Sequence, residues 1–188
     1  MKRLISFAVF FMLTLCLVSC AVPVKNSGTS RENGLDCTFS AAVTFTIEKL
    51  TAEGTISRQG NGLWSVEFDS PGSLSGVKLG FAEGNVNASY KGLEFSVPQS
   101  ALPVKAMMLN LIKAVDDNAV SEKLSGEEKD GVFTVTGSLE GGDYSLTTDS
   151  EGHLSSFEMP CYKLKIVLHE LTVTEAQPPS TEPELTTD

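Results

Sequence analysis

The sequence predicts a mainly β domain: a large curved antiparallel sheet of about ten strands, a half-barrel, with one central amphipathic helix covering its concave face. Three observations lead to this fold class. Short segments that alternate apolar and polar residues recur from residue 39 to residue 168. The connections between them are short and rich in turn-forming residues, as hairpins require. One internal segment shows instead the three-and-four spacing of apolar residues that is typical of a helix.

The chain begins with a segment typical of a secretory signal peptide. Lys2 and Arg3 give a positive start, residues 4–15 are almost entirely apolar, and residues 17–20 (LVSC) end in cysteine. The tetrapeptide resembles the bacterial lipobox, and this resemblance implies cleavage just before Cys20 and a diacylglycerol on its thiol. A transmembrane anchor is the alternative, but the apolar run is shorter than the roughly 20 residues that span a bilayer.

This start predicts an extracytoplasmic protein that is anchored to the cell membrane by its lipidated N-terminus. Two or three acyl chains on Cys20, palmitate among them, would hold it durably, since a single chain binds only marginally. Residues 1–19 would be removed, and the small and polar residues 20–36 predict a flexible tether. Residues 37–174 form the predicted globular domain. Residues 175–188, with three prolines and several acids, predict a disordered acidic tail.

The first predicted strand shows the alternation most clearly. Phe39, Ala41, Val43, Phe45 and Ile47 fall on one face, and mostly polar residues lie between them. Short turns follow the later segments, so the strands are expected to pair in sequence as an antiparallel meander. The apolar faces of the later strands comprise Ala52 and Ile56; Trp64, Val66 and Phe68; Val77, Leu79 and Phe81; Val86, Ala88 and Tyr90; Leu93, Phe95 and Val97; Phe133 and Val135; Tyr144 and Leu146; residues 154–159; and Tyr162, Leu164, Ile166 and Leu168.

The helix is predicted from Pro103 to about Val120. Ser100 is a candidate cap, and Pro103 suits a first turn. Residues 126–130 are polar and predict a linker before the strands resume. The apolar stripe of the helix comprises Val104, Met107, Met108, Leu111, Ile112 and Val115.

The number of strands favours a curved sheet. Strand twist accumulates across about ten antiparallel strands, so a large open sheet curls or closes. One helix is available to cover the concave apolar face of a half-barrel. A sandwich of two sheets is the competing arrangement, and the strand pattern leaves it open.

The charge of the chain excludes one class of partner. The chain has 24 acidic and 14 basic residues, a formal net charge of −10. A protein this acidic lacks the basic surface that nucleic acid binding requires. It also offers no basic patch to anionic lipids, so membrane attachment would depend on the acyl chains.

Residues that carry catalysis or hold metals are scarce. The two histidines, His153 and His169, are expected in a turn and on the polar face of the last strand. We find no phosphate-binding glycine loop and no nucleophile elbow in the sequence. The neighbouring acids Asp116-Asp117 and Glu127-Glu128 predict solvated charges. We therefore expect no enzymatic activity, no cofactor and no metal site.

Two cysteines follow Cys20, namely Cys37 and Cys161. Outside the cytoplasm they are able to form a disulfide. As two buried thiols they would instead act as small apolar side chains. The sequence leaves both alternatives open.

Three segments carry a resemblance to a known family: residues 62–71 (GLWSVEFDSP), 74–79 (LSGVKL) and 90–95 (YKGLEF), the last ahead of a proline-led helix. Over residues 38–173 the chain resembles the bacterial lipoprotein-sorting carriers of the LolA and LolB type and the similar lipoproteins of Gram-positive bacteria. The resemblance implies a curved half-barrel, lidded by helices, whose apolar cavity receives acyl chains. The chain departs from the soluble carrier because Cys20 would fix it to a membrane, and no clear amphipathic helix precedes the first strand.

Two functions follow as expectations. The first is a membrane-anchored lipoprotein without enzymatic activity that binds a lipid or acyl chain between the concave face and the helix, in a role similar to lipoprotein sorting. The second is a structural or protein-interaction lipoprotein of the cell envelope, with unknown partners, whose core is filled by its own side chains. The candidate ligand-binding residues are the apolar side chains of the predicted concave face and helix: Trp64, Val66, Phe68, Leu79, Phe81, Tyr90, Phe95, Met107, Met108 and Leu111.

Overall fold

The computed structural model describes residues 28–101 and 107–174, and within these ranges the chain forms twelve strands and one α-helix. No helix in this part of the chain is long and apolar enough to cross a membrane. The predicted signal peptide, Cys20 and the predicted acidic tail lie outside the described residues. The strands are β1 (Thr29–Glu32), β2 (Thr38–Ile47), β3 (Leu50–Gly60), β4 (Leu63–Ser70), β5 (Lys78–Ala82), β6 (Asn85–Tyr90), β7 (Leu93–Pro98), β8 (Lys123–Lys129), β9 (Val132–Leu139), β10 (Gly142–Thr148), β11 (Leu154–Met159) and β12 (Leu164–Thr174); helix α1 covers Met107–Ala119, and two short 3-10 turns cover Gln99–Ala101 and Pro160–Tyr162.

The twelve strands form one antiparallel sheet that is curved but not closed into a barrel. Its order is β1-β8-β9-β10-β11-β12-β2-β3-β4-β5-β6-β7. The predicted half-barrel is therefore confirmed, and the alternative sandwich does not form. Two meanders, β2 to β7 and β8 to β12, are joined by β12 and β2, whose register runs from Leu164 opposite Ile47 to Thr174 opposite Thr38.

Helix α1 lies in the connection between the two meanders. Strand β7 is one edge of the sheet, and β8 lies next to the other edge, so this connection has to cross a face of the sheet. It crosses the concave face, where α1 packs over β9 and β10. The buried stripe of the helix includes Met108, Leu111, Ile112 and Val115, and these side chains join a single core cluster with the inner residues of the strands.

Alternation along the strands separates the core from the solvent. In β2 the residues Phe39, Ala41, Val43 and Phe45 are buried, and their neighbours are more exposed. Because successive side chains of a strand point to opposite faces, the apolar phase selects the concave face. The period-two pattern in the sequence therefore predicts which side chains of each strand face the core.

Two polar segments that the sequence predicts to lie outside the sheet are strands. Residues 29–32 of the predicted tether form β1, and the predicted linker 126–130 lies largely within β8. Strand β1 pairs with the first half of β8, from Thr29 opposite Gly126 to Glu32 opposite Lys123, and residues 127–129 of the predicted linker pair with β9. They depend on backbone hydrogen bonds at the edge of the sheet, which require no apolar alternation. The predicted tether is therefore wrong for residues 29–36, and the predicted linker is wrong as well.

The last strand also starts later than predicted. Tyr162 belongs to the 3-10 turn Pro160–Tyr162, and β12 begins at Leu164. Lys163 between them has a positive φ of 49° and donates its backbone N–H to the Pro160 carbonyl, which ends the turn. Pro160 thus starts a local turn, although the apolar alternation of the sequence continues through Tyr162.

Candidate functional site

The concave face beneath α1 is filled by the side chains that we predicted to line a ligand cavity. Six of the ten candidates are at most 5% exposed, and they pack against each other, the helix and neighbouring strands. The Phe39 and Trp64 rings meet edge to face at 5.6 Å, and the Phe45 and Phe68 ring centroids are 5.5 Å apart. At these positions the described residues leave no open cavity, because the side chains pack into the single core cluster. The six are Trp64, Val66, Phe68, Phe81, Met108 and Leu111.

A buried polar network holds α1 on this face. Arg58, at 1% exposure, donates from Nε to Oδ1 of Asp116 at 3.1 Å and from Nη1 to the Cys37 carbonyl at 2.9 Å. Oδ2 of Asp116 accepts from the Gly62 backbone N–H at 2.8 Å and from Trp64 Nε1 at 3.2 Å. One carboxylate thus joins the helix to β3, to the turn after it and to β4.

Sequence reasoning missed this network. The sequence predicts that Asp116 is solvated like Asp117, but Asp116 is buried. Asp117 is exposed and forms an ion pair with Lys113 at 2.9 Å. The alternation along β3 could have indicated the network, because Arg58 falls on the same buried face as Ala52, Gly54 and Ile56. A charged residue in an apolar phase requires a buried partner.

The other four candidates lie where the concave face is less covered. Leu79, Tyr90 and Met107 are half-buried, and Phe95 is 61% exposed. Leu93, which the candidate set did not include, is 72% exposed and stands opposite Tyr90. The alternation of β7 predicted that Leu93, Phe95 and Val97 share a face, but not that this face is largely open.

We call this surface the apolar rim and define it by Leu79, Tyr90, Leu93, Phe95 and Val97. Phe95 stands opposite Ala88, which stands opposite Leu79, so the rim follows the register across β5, β6 and β7. Among the described strands, β7 has a neighbour on one side only, which leaves its inner side chains with fewer contacts. The rim is continuous with the core, since Leu79 and Val97 pack against the core cluster.

The opposite face of the same strands carries an open polar groove with a volume of about 710 Å³. Val66, Leu79, Ala88 and Phe95 also border the groove, although their side chains point to the concave face. Lys78 Nζ and Glu67 Oε2 form an ion pair at 2.9 Å between neighbouring strands. The hydroxyl, amide, charged and glycine residues of the groove are Thr55, Ser57, Ser65, Glu67, Lys78, Gly80, Asn87, Ser89, Glu94 and Ser96.

One turn brings together residue types that are able to bind metals. Ligand atoms of Asp149, Glu151 and His153 all lie within 4.8 Å of one another. Asp149 Oδ1 accepts the backbone N–H groups of Glu151 and His153, both at 2.9 Å, and His153 Nδ1 lies 3.3 Å from Asp149 Oδ2. These contacts explain the cluster as a hydrogen-bonded turn, as the sequence predicted for His153. The other histidine, His169, lies on β12 with Nε2 3.2 Å from Thr44 Oγ1.

The two cysteines of the domain are both free thiols at opposite ends of β2. Cys37 directly precedes the strand, and Cys161 lies beside Ile47 at its other end. Ten residues of strand span roughly 30 Å, whereas a disulfide needs Cα atoms within about 7 Å. The fold therefore excludes the disulfide alternative. Burial raises the pKa of the half-buried Cys37 thiol, although the nearby Arg58 charge acts in the opposite direction.

The fold is similar to solved structures at low sequence identity. No protein-family model matches the chain, and no curated protein sequence matches it. An uncharacterized conserved protein from Thermus thermophilus is 18% identical with a TM-score of 0.50, over 76% of this chain and 82% of that one. This similarity shows a shared fold and carries no information on activity.

Two further solved structures are similar with lower TM-scores. A LolA superfamily protein from Nitrosomonas europaea is 9% identical with a TM-score of 0.36, over 78% of this chain and 90% of that one. A DUF1329 family protein from Desulfovibrio piger is 12% identical with a TM-score of 0.40, over 81% of this chain and 89% of that one. A member of the superfamily that the sequence resembles is thus among the structures similar to this chain.

Proposed function

We propose that this chain is a membrane-anchored extracytoplasmic lipoprotein that binds an acyl chain on its apolar rim and has no enzymatic activity. The observation that carries the proposal is the exposure of Leu93 and Phe95, at 72% and 61%, on a face that is continuous with the core. A large side chain gains roughly 1.5–3 kcal/mol when it passes from water into an apolar contact. An acyl chain laid along the rim would cover these side chains without any charged contact.

The N-terminus supports an acyl ligand. The lipobox-like LVSC sequence predicts that the domain is held close to a lipid surface by Cys20. The resemblance of the sequence to carriers of the LolA and LolB type supports the same class of ligand. The proposed site differs from the cavity that this resemblance implies: within the described residues the side chains under α1 are buried in the core, whereas the rim on β5–β7 is exposed.

The filled core favours a second candidate function. Six of the ten expected cavity residues are buried in the protein itself, as expected for a structural or interaction lipoprotein of the cell envelope. In that case the rim would contact protein rather than lipid. The two functions differ in whether a lipid co-purifies with the domain.

Native mass spectrometry of the chain that starts at residue 21, purified from bacterial cells and followed by organic extraction, tests the proposal. We expect a bound lipid of defined mass and competition for it by the fluorescent fatty acid cis-parinaric acid. A clean unliganded mass and no binding of the probe would reject the acyl-chain site and favour the second function.

A pair of matched variants locates the site. Leu79→Asn places an amide in the rim and leaves the free edge of β7 unchanged, whereas Val132→Asn makes the same kind of change at a half-exposed position on β9. We expect Leu79→Asn to weaken probe binding at least about 10-fold, equivalent to roughly 1.4 kcal/mol, and Val132→Asn to leave it unchanged. Urea unfolding of both variants verifies that each is folded. Equal binding by both variants would place the ligand elsewhere.

A further inference from the structure

Strand β7 is an unprotected edge of the sheet. It pairs with β6 on one side and with no other strand of the described residues on the other. Its inner side chains are all apolar, and the two largest, Leu93 and Phe95, are mostly exposed. Proteins usually protect such an edge with lysines, inward-pointing charges or a bulge. Strand β7 has none of these in its interior, and Pro98 stands only at its end.

The opposite edge shows the contrast. Strand β1 is four residues long, and two of them, Arg31 and Glu32, are charged. A short and charged edge is a poor template for another strand. The chain therefore protects one end of its sheet and leaves the other exposed.

The backbone groups that are free at the β7 edge follow from the hairpin that precedes it. Lys91 and Gly92 have positive φ values of 48° and 82° and form a two-residue turn closed by Tyr90 and Leu93. The closing pair of such a hairpin is hydrogen bonded, and bonded and non-bonded pairs then alternate. Phe95 and Val97 therefore bond to β6, while the N–H and C=O groups of Glu94 and Ser96 point to the free edge.

We propose that two copies of this chain pair antiparallel along β7, about a two-fold axis through Phe95, and so form one continuous sheet. In this register Glu94 of each copy exchanges two backbone hydrogen bonds with Ser96 of the other, four in all. The two Phe95 rings are neighbours, and Leu93 stands opposite Val97. Every free donor of the strand is used, and apolar side chains face apolar side chains.

Charge and proline content select this register over its neighbours. Centring the pair on Glu94 would place two carboxylates directly opposite, which destabilises a strand pair. Centring it on Ser96 would place Glu94 opposite Pro98, which has no N–H to donate. The two-fold pairing about Phe95 is the arrangement that avoids both faults, and a two-fold axis closes the assembly at a dimer.

Disulfide trapping in bacterial membranes tests the register in the full-length chain. In a background with Cys37→Ser and Cys161→Ser, Phe95→Cys should give a dimer on mild oxidation, because a non-hydrogen-bonded pair places the Cα atoms about 4.5 Å apart. The matched control is Leu93→Cys on the same strand and face. Its two copies would lie about 13 Å apart, four residues along the strand, so we expect at least a tenfold lower yield of dimer. The double variant Leu93→Cys/Val97→Cys should restore cross-linking. Equal yields at positions 93 and 95, or no dimer at position 95, would overturn the proposal.

A measurement without cysteines separates true pairing from chance collision. Native mass spectrometry of the detergent-solubilised full chain should show a dimer that Phe95→Lys converts to a monomer, while Val132→Lys on β9 leaves it dimeric. A monomeric wild-type chain would overturn the proposal. An open series of larger species would overturn it too, if a Ser30→Cys/Phe95→Cys double variant cross-links between position 95 on β7 and position 30 on β1. That last result would mean that β7 pairs with β1 of the next copy.

Discussion

Arg58 Nε donates a hydrogen bond to Asp116 Oδ1 at 3.1 Å, and this buried pair joins helix α1 to strand β3. Gly62 and Trp64 donate to the second oxygen of the same carboxylate, and the Cys37 carbonyl accepts from the guanidinium. A buried ion pair adds little net stability when compared with well-packed apolar residues. Its effect here is positional: the helix has to lie where the carboxylate meets all three donors.

The first prediction concerns the loss of this carboxylate. Asp116→Ala should lower the free energy of unfolding by about 3–5 kcal/mol, because it removes the carboxylate that accepts from Arg58, Trp64 and Gly62. The buried Arg58 charge then keeps only the Cys37 carbonyl and a 3.4 Å contact with the exposed Asp36. Urea unfolding followed by tryptophan fluorescence measures the change. Asp117→Ala, next to it on the exposed side of the helix, should cost less than about 0.5 kcal/mol.

The double variant Arg58→Met/Asp116→Leu makes this prediction sharper. Removing both charges should leave the protein more stable than Asp116→Ala alone, since no buried charge is then unpaired. A loss in Asp116→Ala no larger than that in Asp117→Ala would show that the pair is not buried in solution.

The second prediction concerns a core residue within the segment that the sequence assigned to the tether. Leu35 is 1% exposed, and its backbone N–H binds Asn33 Oδ1 at 3.0 Å, while Asn33 Nδ2 donates to the Asn118 carbonyl at 2.9 Å. Leu35→Ala should therefore cost about 2–5 kcal/mol, as at other core positions. Val132→Ala, at a half-exposed site, should cost below about 0.5 kcal/mol in the same urea titration. A cost for Leu35→Ala as small as that would show that Leu35 is not part of the core and would support the predicted tether at this position.

The sheet was predictable because its register depends on a pattern that the sequence displays. The alternation of Phe39 to Ile47 and its repeats identified β2 to β7 and much of β9 to β12, and the apolar stripe from Met107 to Val115 identified α1. Strands β1 and β8 carry no such pattern, because they pair through the backbone at an edge. Long-range pairing of two polar segments leaves no periodic trace in either one.

The candidate site was only partly predictable for a related reason. Periodicity shows which side chains share a face, and it placed Leu79, Tyr90 and Phe95 on the concave one. It does not show how far a helix fills that face, so buried Trp64 and exposed Phe95 looked alike in the sequence. The position of α1 depends on Arg58 and Asp116, two residues that lie far apart in the chain and whose partnership appears only in the fold.

The third prediction concerns the lipidated cysteine. Cys20→Ser should move the protein out of the membrane fraction or leave it there with an uncleaved signal peptide, because the thiol that would carry the acyl chains is absent. Cell fractionation with mass measurement of the N-terminal peptide detects both outcomes. Cys16→Ser, within the apolar run, is the matched control and should leave anchoring and the acylated mass unchanged. An acylated peptide from Cys20→Ser would refute the lipobox interpretation.

The fourth prediction concerns the two thiols at the ends of β2. Alkylation with iodoacetamide under native conditions, followed by peptide mass analysis, should label both Cys37 and Cys161 without prior reduction, and Cys161 should react first. Burial raises the pKa of Cys37, so its labelling at pH 8 should be slow, should rise as the pH is raised, and should match that of Cys161 once the protein is unfolded in urea.

The same shift has a consequence for stability. The unfolded Cys37 thiol loses its proton at a lower pH than the folded one, so the unfolded state binds fewer protons in the alkaline range. The free energy of unfolding should therefore fall as the pH rises past the ordinary thiol pKa of about 8.5, and Cys37→Ala should show a smaller fall. Equal labelling rates of the two native thiols at pH 8 would contradict the positions of Cys37 and Cys161 in this fold. So would alkylated Cys37 and Cys161 peptides that appear only after reduction, because they would show a disulfide between the two residues.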